Sequence, residues 1–107
     1  MEYLVRLSDR ALRDLEVIFE FIKADSSERA FQWFNDLAEA IYSLERLPER
    51  GAVTQEDKKL RQLLCGKKPN TYRIIYALDK RKNTAVVLHI RHSARAPLST
   101  EPERPDL

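Results

Sequence analysis

The chain has 107 residues, a net charge of +2 and 43% hydrophobic side chains, which fits one domain with its own core and excludes extended disorder. Cys65 is the only cysteine, which excludes a disulfide framework and a thiolate zinc site. No apolar run approaches the ~20 residues needed to span a bilayer, and no signal peptide is visible, so the expectation is a cytoplasmic protein without membrane attachment.

Residues 2–7, "EYLVRL", are short and β-prone and predict a first strand. Ser8 then offers an N-cap. Ala11, Leu15, Ile18 and Ile22 recur at steps of three and four, with Arg13, Asp14, Glu16, Glu20 and Lys23 on the other side. This predicts an amphipathic helix over 9–24. Asp25-Ser-Ser-Glu28 makes a break with a capping box. A second helix follows on the stripe Ala30, Phe34, Leu37, Ile41 and Leu44, with Trp33 beside it; it should end near Leu47, before Pro48. Trp33 and Phe34 are expected in the core. So short a break implies an antiparallel helical hairpin.

Residues 48–58, "PERGAVTQEDK", read as a polar loop, and three strands are expected after it. These are "LRQLLC" (60–65), "TYRIIYAL" (71–78) and "AVVLHIRH" (85–92). Alternation puts Tyr72, Ile74, Tyr76 and Leu78 on one face and Arg73 on the other. In the last strand it puts Val86, Leu88, Ile90 and His92 on one face, and Val87, His89 and Arg91 on the other. Polar residues 79–84 predict a hairpin turn. The order strand, helix, helix, then three strands (β-α-α-β-β-β) gives an α+β class, with the hairpin packed on a small, mostly antiparallel sheet. Residues 1–96 form the domain, and 97–107, with three prolines, read as a tail.

The modest total charge hides an asymmetry. Residues 1–57 carry 7 basic and 13 acidic side chains, whereas residues 58–96 carry 11 basic and one acidic. The second half should attract nucleic acid, an acidic protein or both. Its candidates are Arg61, Arg73, Arg91, His92 and Arg95. Guanidinium donates bidentately to phosphate or carboxylate and keeps its charge. His92 can move protons near neutral pH. Both histidines and two arginines fall within residues 89–95. The residues leave three readings of this cluster: a ribonuclease site, an anion-binding edge or a solvated strand end. A general base is not evident. His89 and His92 are three apart on a strand and face opposite ways, which argues against a shared metal ion. Nothing in the sequence calls for a cofactor.

The segments "LSDRALRDLEVIFEFI" (7–22), "LAEAIYSLERLPERG" (37–51), "YRIIYAL" (72–78) and "VLHIRHSAR" (87–95) together resemble the RelE/ParE superfamily of type II toxins. The resemblance implies a growth-inhibiting toxin neutralised by a cognate antitoxin and reaching operator DNA only through it. RelE-like members cut mRNA on the ribosome, and ParE-like members poison DNA gyrase. On the RelE-like pattern one arginine falls on Arg73 and another on Arg95. The paired lysines of that pattern fall near Arg61 and Leu63, so at best one basic group survives. The tyrosine beyond the last-strand arginine has no counterpart. Some ribonuclease members use histidine in this region, which leaves His92 open. If the chain were a ribonuclease, Arg73, His92 and Arg95 would be catalytic. If not, Arg61, Arg73, Arg91 and Arg95 would bind target or antitoxin. The long hairpin and the incomplete RelE-like set look more like ParE.

Overall fold

The computed structural model describes residues 2–68 and 71–93. Strand β1 (Leu4–Leu7) leads into helices α1 (Asp9–Asp25) and α2 (Ser27–Tyr42). Ser8 caps α1, its Oγ accepting from the Ala11 N–H at 3.0 Å. Ser26 both ends α1 and caps α2, where it accepts from the Arg29 N–H at 3.2 Å. Its extended backbone (φ −157°, ψ 117°) breaks the helical path and folds the hairpin. An Asp25–Arg29 ion pair spans the same turn. α2 stops at Tyr42, short of the expected Leu47, and a single 3-10 turn (Ser43–Glu45) carries the chain away.

The other strands are β2 (Ala52–Val53), β3 (Leu60–Cys65), β4 (Tyr72–Asp79) and β5 (Thr84–His92). They form one sheet of order β1-β5-β4-β3-β2, in which β1 runs parallel to β5 and the other pairs are antiparallel. The α+β order read from the sequence is present, with one addition: β2 lies inside the segment read as loop. At the β4–β5 turn, Asp79 Oδ1 accepts from the Arg81 and Lys82 N–H groups at 3.1 and 3.2 Å. Asn83 takes the left-handed conformation there (φ 47°), which asparagine tolerates.

The helices cover one face of the sheet. Ile22, Trp33, Leu37 and Ile41 pack with Tyr72, Ile74, Tyr76, Val87 and Ile90. Burying a side chain such as Leu37 or Ile74 contributes about 2 kcal/mol. Trp33 is buried as expected, but Phe34 is 39% exposed. Its ring lies edge-on to Phe19 at the hairpin surface.

Strand β5 corrects the simple alternation. Ile75 pairs with His89, yet Tyr76 pairs with Val87, so Leu88 is an extra residue, a β-bulge. Ala85 and Val87 therefore join Ile90 in the core, and Val86 pairs with Ala77 on the opposite face. Helix α1 and its cap serve the bulge. Ser8 Oγ donates to the Leu88 carbonyl at 3.1 Å, and Asp14 Oδ2 accepts from the Ile90 N–H at 3.0 Å. Asp14 also accepts from Arg10 Nε at 3.0 Å. The charge pattern placed Asp14 on the solvent side of the helix; it is 7% exposed.

Candidate functional site

The β4–β5 register sets Arg73 opposite Arg91 and Tyr72 opposite His92. Cross-strand partners share a face. Arg73 and Arg91 thus lie on the sheet face away from the helices. His92 lies on the helix side, its ring edge-on to Tyr72 at 5.1 Å, and Tyr72 in turn meets Trp33 at 5.4 Å. Arg61 pairs with Tyr76 and so also belongs to the helix side. The structure therefore splits the sequence candidates: Arg73 and Arg91 come together, while Arg61 and His92 do not join them. Arg95 and the domain boundary at 96 lie outside the described residues.

Arg61 is occupied by the chain itself. Its Nη1 donates to the carbonyls of Gly51 (2.8 Å) and Glu49 (3.2 Å), and its Nη2 lies 3.8 Å from Glu49 Oε2. Beside it, the Tyr76 hydroxyl donates to the Pro48 carbonyl at 2.7 Å and accepts from the Gly51 N–H at 3.0 Å. Burial pushes the Tyr76 phenol up, against the lowering effects of the Gly51 hydrogen bond and of Arg61 and Arg50. The group remains a neutral donor at physiological pH. Arg61 and Tyr76 together pin residues 48–51 to the sheet.

Arg73 is held by a carboxylate. Its Nη1 and Nη2 reach the two oxygens of Glu56 at 2.9 and 3.0 Å, and its Nε donates to Gln62 Oε1 at 2.7 Å. The Arg73 and Glu56 side chains are 12% and 14% exposed. Like charges opposite each other on a sheet repel, and Glu56 offsets that cost at the Arg73–Arg91 pair. Glu56 sits in a turn closed by Thr54, whose Oγ1 donates to the Asp57 carbonyl (2.7 Å) and accepts from the Asp57 N–H (3.1 Å). Sequence reasoning missed Glu56, because it read the segment as polar loop. A groove of about 630 Å³ runs beside this pair, lined by Val53, Glu56, Gln62, Leu64 and Arg73 among others. Two-point binding of an oxyanion is the chemistry this arrangement supplies. Cys65 adds no nucleophile: burial, with Asp36 nearby, pushes its thiol up to about 11.

A second surface lies at the opposite edge. Tyr3, Leu4, Val5, Phe34, Leu37 and Tyr42 line an apolar groove of about 590 Å³ between β1 and α2. It lies between Glu2 and Glu45, along β1, one of the two edge strands of the sheet, in the acidic half. Among the described residues, no helix is long and apolar enough to cross a membrane.

Comparison with known proteins agrees with this geometry. The family model for the ParE toxin of the type II toxin-antitoxin system parDE matches residues 5–97. The chromosomal ParDE system of P. aeruginosa includes a similar chain, at TM-score 0.69 and 17% identity over 85% of this chain and 96% of that one. A free-state mutant of the E. coli toxin RelE gives TM-score 0.61 and 16% identity, covering 88% and 86%. The toxin-antitoxin complex RelBE2 of Mycobacterium tuberculosis gives TM-score 0.56 and 25% identity, covering 86% and 99%. No curated protein matches the sequence.

Proposed function

Because the chain belongs to the ParE toxin family of type II toxin-antitoxin systems, we propose that it arrests growth by engaging DNA gyrase as a protein ligand, without cutting RNA. The observation that carries this reading is the separation of the polar candidates. An RNA-cleaving site needs a proton-transferring group beside the guanidiniums that hold the phosphate. Here His92 turns toward Tyr72, away from Arg73; of the titratable groups that share Arg73's face, Glu56 is committed to the guanidinium in a two-point ion pair and His89, opposite Ile75, has its Nδ1 buried. Both surfaces suit proteins better. The cognate antitoxin is the expected neutralising partner, as in the toxin-antitoxin complexes this chain resembles. The apolar groove at β1 and α2 suits an apolar antitoxin segment with basic flanks facing Glu2 and Glu45. Toxin and antitoxin would meet in the cytoplasm.

Induced alone in a bacterial host, the protein should stop growth, and co-expression of the small gene beside it should restore growth. His92→Gln should stay toxic, since glutamine keeps a hydrogen-bonding group and no proton transfer is required. A ribonuclease using His92 as general acid would instead lose about 10²–10⁴-fold in cleavage. Normal growth at verified expression of folded protein would contradict the toxin reading. A folded, harmless His92→Gln protein would shift the reading to RNA cleavage.

A further inference from the structure

Arg73 is central to the open face of the sheet, yet the chain's own Glu56 fills it. The Glu56 carboxylate meets Nη1 and Nη2 side by side, at 2.9 and 3.0 Å, the fork geometry of a bound carboxylate ligand. The segment that brings Glu56 there begins at the sheet edge. Its strand, β2, pairs with β3 at just two positions, Ala52 with Gln62 and Val53 with Arg61. The turn beyond it is held by the Thr54–Asp57 hydrogen bonds and by the Thr54 N–H to the Leu60 carbonyl at 2.9 Å, so exchange needs only the Glu56 side chain to swing out. Without a carboxylate, Arg73 would meet the like charge of Arg91 across the strand pair. Loss of Glu56 therefore favours entry of another anion over an empty site.

We propose that Glu56 is an exchangeable internal counter-anion, and that Arg73 takes in its place a carboxylate from an acidic, apolar-flanked segment of a partner protein. The surroundings select this ligand over nucleic acid. Leu64, directly opposite Arg73 in the β3–β4 register, lines the groove and is 62% exposed, so it offers apolar contact next to the guanidinium. Single-stranded nucleic acid gains much of its affinity by stacking on exposed aromatic faces. The tyrosines of β4, Tyr72 and Tyr76, are 3% and 0% exposed. Glu56 thus acts as a gate: it balances the Arg73 charge until a partner supplies a better-placed acid.

The inference rests on reading this face as a protein-docking surface, but its test measures binding and not growth, so either can fail alone. The full-length protein, its Glu56→Gln and Glu56→Asp variants, and Glu56→Gln combined with Arg73→Lys would be titrated by NMR. The probes are acetyl-Leu-Glu-Leu-Glu-amide, inorganic phosphate and an oligothymidylate. If Glu56 occupies Arg73 about 90% of the time, Glu56→Gln should bind the peptide about tenfold more tightly, because apparent affinity falls with the fraction of closed sites. Glu56→Asp, which keeps the charge but shortens the reach, should give a smaller gain. The Arg73→Lys change should erase it. Unchanged peptide affinity in a folded Glu56→Gln protein would overturn the exchange. A gain with phosphate or oligothymidylate and none with the peptide would overturn the carboxylate assignment.

Discussion

Asp14→Ala should unfold with about 3 kcal/mol less free energy than the parent protein, the range for stripping a buried donor and a charged group of a shared carboxylate. Helix propensity works the other way, since alanine is favoured over aspartate by about 0.5 kcal/mol inside a helix. A loss of this size therefore cannot come from weakening α1 itself. It comes from β5: the Ile90 N–H, 3.0 Å from Asp14 Oδ2, loses its acceptor beside the Leu88 bulge, and Arg10 loses the Asp14 carboxylate. Asp14→Asn separates the two parts. It keeps an oxygen for Ile90 but gives up the charge facing Arg10, and should cost about 1 kcal/mol. Urea unfolding followed by circular dichroism measures both. An Asp14→Ala protein within 0.5 kcal/mol of the parent would show that the bulge does not depend on the helix.

Gly51→Ala should be as damaging, for a steric reason. A Cβ at this position would lie 2.6 Å from the Tyr76 hydroxyl oxygen, 2.7 Å from the Gln62 carbonyl oxygen and 2.8 Å from Tyr76 Cε1. The carbonyl belongs to a strand backbone and the tyrosine ring is fully buried, so neither can yield cheaply. Overpacking typically costs about 1–3 kcal/mol. Moving residue 51 away also breaks its N–H bond to Tyr76 and loosens the Arg61 contact with its carbonyl. A total loss of about 3 kcal/mol is expected, or roughly 15 °C in Tm for a domain of this size. Combining the change with Tyr76→Phe should recover part of the loss, because the hydroxyl clash disappears while the Gln62 and ring Cε1 clashes stay. Strictly additive losses would mean that the two positions do not meet.

The helical hairpin, the order of elements along the chain and the helix-covered face of β4 were legible because the apolar residues of α1, α2 and Tyr72–Tyr76 keep a clear period. The bulge was not. Ala85, Val86, Val87 and Leu88 are all apolar, so a one-residue slip leaves no mark on the pattern, although it exchanges which of them are buried. Asp14 was assigned to solvent because a helical wheel cannot register a hydrogen bond to backbone 76 residues away. The basic candidates were found by type, and their partners were missed. Glu49 and Glu56 come from a polar segment with no periodicity, and only the folded sheet brings them onto Arg61 and Arg73. Arg61 looked like a site residue because "LRQLLC" alternates too weakly to assign its face; pairing with Tyr76 turns it toward the helices.

The central claim, a protein target instead of RNA cleavage, is tested most directly with two assays on the same purified protein. One incubates it with DNA gyrase and plasmid and follows supercoiling and cleaved DNA. The other incubates it with translating ribosomes and reads mRNA ends by primer extension. Trapped DNA cleavage or blocked supercoiling, with intact mRNA, is the predicted result. Codon-phased mRNA cuts with gyrase unaffected would contradict it.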